Sequence, residues 1–203
     1  FKNPIAIISG YTETILSDKD LSHEIKTKFL NKISSNANKM TSIIDTLRLS
    51  LKLEDNKQKL SFKKSNINRL CNEIISDLQA KYLHREINIS SYNLDIEVDE
   101  ILFSIVLNNL IENALKYSDD TINIILSNDS IIIEDFGIGI SKNDLILIKQ
   151  KFYRASNNEW NNSLGLGLFI VDNIIKIHPN EYHQIQSTIG NKILNIIQED
   201  IDE

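Results

Sequence analysis

The sequence predicts an α+β chain, in which a helical hairpin is followed by an α/β sandwich of helices on a mixed sheet. Two observations carry this. From Leu30 to Leu51 the apolar residues repeat in sevens, with Leu30, Ala37, Ile44 and Leu51 at one position and Ile33, Met40 and Leu47 at the other. That 3-4 spacing puts both sets on one seam of a long helix, as in a coiled coil or four-helix bundle. Later in the chain, helical and alternating apolar patterns follow one another, the signature of helices laid on strands. The charged run Glu54-Asp55-Asn56-Lys57-Gln58-Lys59 separates the two regimes, so residues 1–57 are assigned to the hairpin and 58–203 to the second domain.

The first helix runs from Pro4 to about Leu16, with Ile5, Ile8, Thr12 and Ile15 on one face. A polar connection, Ser17 to Ser22, lets it pack antiparallel to the heptad helix, which Ser22 caps. An ordinary amphipathic surface helix is the alternative for Leu30 to Leu51, but the seam runs for three heptads and a second helix precedes it. Two helices enclose little core, so a homodimer closing a four-helix bundle is expected. In the second domain a helix spans about Ile67 to Tyr82, strands lie near Ile87 to Ser91 and Leu94 to Glu97, and a helix runs from Asp99 to Lys116. Strands follow near Ile122 to Ser127 and Ser130 to Glu134, then a helix after Gly165. Two further strands lie near Tyr182 to Ser187 and Lys192 to Ile197.

Composition narrows the function. The 203 residues are a quarter charged and 41% hydrophobic, with a net charge of −6. Such acidity argues against nucleic acid as a partner, yet it leaves anionic nucleotides open, because local cations and backbone N–H groups decide there. The single cysteine, Cys71, excludes an internal disulfide and a cysteine-built zinc site, and its apolar helical setting marks it as core. No apolar run reaches the ~18 residues a membrane helix needs. The chain opens without methionine inside a helical pattern, so it is expected to be a fragment whose upstream part is missing.

Four short motifs carry the chemistry: Asn109 to Ser118 (NLIENALKYS), Asp135 to Ile140 (DFGIGI), Phe152 to Arg154 (FYR) and Leu164 to Leu168 (LGLGL). Asn109, Asn113 and Lys116 share one polar face of a helix otherwise covered by apolar residues. A solvated face is the bland explanation for that stripe. Asp135 ends an apolar strand, where a carboxylate needs a partner, and its oxygen can accept the exocyclic amine of adenine. Gly137 and Gly139 let the backbone turn close to a purine. Gly165 and Gly167 open a helix whose N-terminal N–H groups and dipole favour phosphate. Between them and Arg154, the polar stretch Ala155 to Leu164 reads as a mobile lid. Arg154, with Lys151, is suited to neutralise charge on a transferring phosphate. Asp-Phe-Gly and His84-Arg85-Glu86 loosely echo a Ser/Thr/Tyr protein kinase, but that family's Gly-rich loop, partner lysine and catalytic-loop asparagine are missing. Nor is there a Walker A sequence.

In this order and spacing the motifs resemble the N, G1, F and G2 boxes of the sensor histidine kinases, and the resemblance covers essentially the whole chain. It implies an ATP-binding domain after the hairpin, with ATP and Mg2+ as cofactors. Asn113 is then the magnesium ligand, since a neutral amide oxygen suits a hard cation beside a triphosphate. Asn109 supports it, Lys116 faces phosphate oxygens, Tyr117 packs near the adenine, and Leu166 and Leu168 frame the G2 glycines. Phe1-Lys2-Asn3-Pro4 resembles the end of the phosphoacceptor motif, whose histidine and glutamate would directly precede Phe1, and Asn3 matches a position that helps hold water for dephosphorylation of the partner. Departures are Lys149, where an aromatic is common, and Asn162 and Ser163, where glycines usually stand. Ser22-His23-Glu24 mimics the acceptor motif, but Lys28 replaces its proline and the heptad helix follows, so His23 is not the expected acceptor. His84, His178 and His183 lack metal-ligand spacing. The implied partners are a second copy through the hairpin and a cognate response regulator, with membrane contact only through upstream segments. The implied place is the cytoplasmic side of a bacterial inner membrane. Two other classes stand against this: an ATPase of the related gyrase, MutL and Hsp90 superfamily, and a non-catalytic docking module.

Overall fold

The computed structural model describes residues 2–54, 60–128, 130–155, 164–177, 184–189 and 192–195. The linker residues 55–59, most of the expected lid (156–163), His178, His183 and the outer ends of the last two expected strands lie outside them. The chain divides into two compact units, Phe1–Leu51 and Lys52–Glu203.

In the first unit, α1 (Lys2–Ser17) and α2 (His23–Glu54) form the hairpin. Pro4 sits in the first turn of α1, where backbone N–H groups have no intrahelical acceptor and the missing donor costs nothing. Ser22 caps α2 as expected, its hydroxyl oxygen accepting from Ile25 N at 3.3 Å. Tyr11 and Phe29, equally far on either side of the turn, meet with ring centroids 4.8 Å apart, which fixes the two helices as antiparallel. Ile33, Met40 and Leu47 are half-buried. The other heptad set faces out, with Leu30 at 56%, Ile44 at 53% and Leu51 at 58% exposure.

The second unit opens with β1 (Phe62–Asn66), a strand the sequence pattern does not announce, because Phe-Lys-Lys-Ser-Asn lacks apolar alternation. It forms by pairing antiparallel with β3 (Asp95–Asp99), Lys64 opposite Glu97. Between them come α3 (Ile67–Lys81) and β2 (Ile87–Ile89). Asn66 caps α3 by accepting from Arg69 N at 2.8 Å, worth about 1 kcal/mol. Six buried side chains, Ile67, Leu70, Cys71, Ile74, Ile75 and Leu78, decide that helix; each contributes roughly 1.5–3 kcal/mol for the larger residues, far above what an exposed ion pair such as Arg69–Glu73 adds. Burial pushes the Cys71 thiol up to about 12, so it stays a protonated core side chain, as the sequence suggests.

Then α4 (Glu100–Tyr117) follows, capped by Asp99, which accepts from Leu102 N at 3.1 Å. Its buried stripe runs from Leu102 through Val106, Leu110 and Ala114. A second sheet has the order β2, β4 (Ile122–Leu126), β5 (Ser130–Glu134), β6 (Gln184–Ile189), β7 (Lys192–Asn195). β2 with β4 and β5 with β6 are parallel; β4 with β5 and β6 with β7 are antiparallel. Ile122, Ile124, Ile131 and Ile133 point to the helical layer and are buried, whereas Ile125 is exposed on the other face. The helical layer is completed by α6 (Gly167–Ile177), which packs on α4. A short helix, α5 (Lys142–Leu147), was not anticipated either. Ser141 starts it reciprocally: its oxygen accepts from Asp144 N at 3.1 Å while its hydroxyl donates to the Asp144 carboxylate at 2.6 Å. Among the described residues, no helix is long and apolar enough to cross a membrane.

Candidate nucleotide site

Two of the motifs meet the C-terminal half of α4, and the FYR segment is tied to the residues ahead of α6, through contacts that only glycine permits. Gly137 lies against the backbone of Tyr117, so closely that a Cβ there would overlap the Tyr117 carbonyl. That carbonyl accepts from Ile138 N at 3.3 Å. Asp135, just before, is 1% exposed and accepts from Gly137 N at 2.9 Å. The loop after β5 is thereby closed on itself and seated on the end of α4, and Gly139 turns it outward with φ +70°.

Gly167, at the start of α6, faces the amide groups of α4. A Cβ there would meet Asn109 Oδ1 at 2.8 Å and come within 4.0 Å of Asn113 Nδ2. Asn109 in turn donates to the Ile105 carbonyl at 2.8 Å, which leaves its amide oxygen toward the α6 N-terminus. Ile170 N bonds to the Leu166 carbonyl at 2.9 Å, so Leu166, itself buried, stands just ahead of the helix as its cap, with Leu168 half-buried behind it.

Gly165 joins this helix to the FYR segment. Its φ is +68°, and a Cβ would overlap the Tyr153 carbonyl. Phe152 N donates to the Gly165 carbonyl at 2.9 Å, and Phe152 has φ +66°, a left-handed conformation rare for a bulky side chain. Tyr153 secures the strained segment by donating to the Asp144 carboxylate at 2.5 Å. Hydrogen bonds from Ser141 and then Tyr153 hold the Asp144 carboxyl below its usual range. Lys151 lies over the Phe169 ring, 5.4 Å from its centroid, and Arg154 is exposed. Lys149, at the position where an aromatic is common, pairs with Asp172 of α6 at 3.5 Å, and Lys176 reaches the same carboxylate at 2.7 Å.

Lys116 stands apart from this convergence. Its ammonium is 3.1 Å from the Glu112 carboxylate, which also takes Lys81 of α3 at 2.5 Å. Burial works against charge on Glu112, yet the Lys81 hydrogen bond and the Lys116 charge win and its carboxyl sits below the ordinary value. Sequence spacing put Asn109, Asn113 and Lys116 on one face; the structure brings the two asparagines to Gly167 and ties Lys116 to Glu112. Asn3 lies exposed in the first turn of α1, in the other unit. His23 is the exposed first residue of α2. Sequence reasoning missed the Lys149–Asp172 and Tyr153–Asp144 ties, because each joins residues whose proximity depends on tertiary folding.

Residues 98–197 match the family described as histidine kinase-, DNA gyrase B-, and HSP90-like ATPase. Over 93% of its length the chain is 27% identical to the sensor histidine kinase YcbM of Bacillus subtilis, and over 86% it is 30% identical to the signal transduction histidine-protein kinase ArlS of Staphylococcus haemolyticus. It spans 67% of the first relative's length and 41% of the second's. Its fold is that of the Acinetobacter baumannii histidine kinase AdeS, with a TM-score of 0.62 at 21% identity over 86% of this chain and 84% of that one. Full-length ShkA, solved in complex with AMPPNP, matches 84% of the chain and 40% of its own with a TM-score of 0.60 at 19% identity. Residues 98–197 therefore form a domain of this ATPase family, and the chain is similar in sequence and fold to histidine kinase catalytic cores.

Proposed function

We propose that this chain is the core of a two-component sensor histidine kinase, which binds Mg-ATP in the second unit and phosphorylates a histidine directly ahead of Phe1. The phosphoryl group then passes to an aspartate of a response regulator. The observation that carries the reading is the convergence of three glycines. Gly137, Gly165 and Gly167 each sit where a Cβ would strike another motif, so the motifs meet at close backbone and amide contacts around the end of α4 and the start of α6.

The residues fit the nucleotide. In this reading buried Asp135 accepts the adenine amine, Gly137 and Gly139 keep side chains away from the ring, and Tyr117 packs beside it. Asn113 offers a neutral oxygen to magnesium, supported by Asn109; bound Mg-ATP supplies the γ-phosphoryl group. Gly165, Leu166, Gly167 and Leu168 present the N-terminal N–H groups of α6 to phosphates. Lys151 and Arg154 neutralise charge gathered there during transfer. Lys116, held by Glu112, joins them by exchanging one anion for another. Asn3 serves the reverse step by holding a water for hydrolysis of the regulator's phosphoaspartate. The exposed heptad set of α2 supports a homodimer through the hairpin, and the intact protein acts from the cytoplasmic side of a bacterial membrane.

The test is acid-labile label from γ-phosphate-labelled ATP, comparing this chain with one carrying a histidine and glutamate restored before Phe1. Label on the restored chain alone is expected. Label on both would promote His23. Steady hydrolysis with no phosphoenzyme on either would favour a gyrase-type ATPase, and a folded dimer that binds no Mg-ATP would favour a docking module.

A further inference from the structure

Arg85 lies in the turn between α3 and β2, within the His84-Arg85-Glu86 triplet that none of the four motifs includes. Its guanidinium reaches the far end of α4. Nη1 donates to the Leu115 carbonyl at 3.3 Å and to the Ser118 carbonyl, and Nη2 donates to the Asp120 carbonyl at 2.7 Å. The side chain is 15% exposed, with the Asp119 carboxylate 3.5 Å away. The final carbonyls of a helix have no partner inside it. A planar fork of fixed donors can span several of them at once, which a lysine ammonium cannot. The next residue, Glu86, continues the tie by accepting from Ile122 N at 3.0 Å, where β4 begins beside β2.

Tyr117 lies in the middle of the segment held this way. Its carbonyl is the atom that accepts from Ile138 N and against which Gly137 is packed. The height of the loop carrying Asp135 is thus set by a carbonyl whose neighbours on both sides are anchored to one guanidinium. We propose that Arg85 is a positioning residue for the adenine end of the nucleotide site: it fixes residues 115–120 so that the Tyr117 carbonyl seats the Asp135–Gly139 loop. This rests on the nucleotide reading above and adds to it the residue that holds the base-recognising loop at its working height.

The experiment titrates ADP and GDP calorimetrically into the full chain and its Arg85→Met, Arg85→Lys and Arg69→Met variants, and follows hydrogen exchange at Ile138 N–H. Arg69→Met removes an ion pair with Glu100 at the opposite end of α4 and one with Glu73 within α3, and reports general destabilisation. Arg85→Met is expected to weaken ADP binding at least about tenfold, about 1.4 kcal/mol, without weakening GDP, and so to erase the preference for adenine. Exchange at Ile138 should rise by about the same factor, because the acceptor no longer stays in place. Arg69→Met should lower Tm and move neither readout. Arg85→Lys keeps the charge without the fork and should show a smaller form of the same defect; it decides by the same criteria if Arg85→Met does not fold. Unchanged ADP affinity with unchanged Ile138 exchange, or equal loss of ADP and GDP, would overturn the proposal. Failure of the unaltered chain to bind ADP would instead overturn the nucleotide reading, and with it the role at a base site, while the Ile138 exchange would still report on the Arg85 link.

Discussion

Asn113 takes its setting from what stands opposite it. An amide four residues after Asn109 on an amphipathic helix is ordinary; what singles it out is the approach of Gly167, where a Cβ would strike the Asn109 amide and come within 4.0 Å of that of Asn113. The metal assignment predicts that Asn113→Asp weakens Mg-ATP binding tenfold or more. A carboxylate there repels the triphosphate by about 1 kcal/mol in water and about 4 kcal/mol at an intermediate dielectric at contact distance. Titration with and without magnesium checks this, and unchanged Mg-dependent affinity would remove Asn113 from the metal. Phe152 is the other residue whose conformation matters here. Its left-handed backbone costs on the order of 1–3 kcal/mol. The strain is held by the Gly165 carbonyl and by Tyr153 on Asp144, so the aromatic of the FYR motif is kept 55% exposed beside Arg154.

Among the elements, α4 is central because it touches the first sheet, α3, α6 and the loop after β5. Its first turn is secured by Glu100, which takes Lys63 at 3.1 Å, the Ser65 hydroxyl at 2.9 Å and Arg69 at 3.1 Å. These partners, Lys63 first, hold the Glu100 carboxyl down at about 2 against an ordinary 4.5. The folded value lies below the unfolded one, so this contribution is complete above about pH 5 and is lost as pH falls from there through about 2. Thermal melts across the acid range should therefore show a shallower fall for Glu100→Gln than for the parent, with lower stability at neutral pH. An identical acid slope would mean that other carboxylates carry it. The strand β1 explains why this cluster was hard to read in the sequence: Lys63 and Ser65 look like a loop until Glu100, thirty-five residues beyond Ser65, gives them a partner.

For the whole molecule, the hairpin and the nucleotide domain are separate compact units, each with its own reason to fold. The second unit has a closed core between its helices and one face of its sheet. The first has only two helices and leaves Leu30, Ile44 and Leu51 more than half exposed along one line. An apolar stripe of that kind on a two-helix unit is the surface on which the proposed homodimer rests. Ile44→Glu is expected to shift the chain to monomer in light scattering at micromolar concentration while leaving nucleotide titration unchanged. A dimer that persists at the same strength would move the self-association to another surface.

Periodicity and local chemistry by themselves determined most of this protein. Seven-residue spacing marked α2, apolar stripes marked α3, α4 and α6, alternation marked the central strands, and four motifs in order marked the family. Those signals are local: each depends on which residues share a face of one helix or strand, or on backbone freedom at a single glycine. What only the tertiary structure decided depends on residues distant in sequence becoming neighbours. It paired polar β1 with β3, brought Lys81 of α3 to the Glu112 carboxylate, let Lys149 take Asp172 in place of an aromatic contact, and set Arg85 under the end of α4. No spacing rule reports these contacts, because a charged side chain with a long flexible stem takes whichever partner the packed core brings within reach.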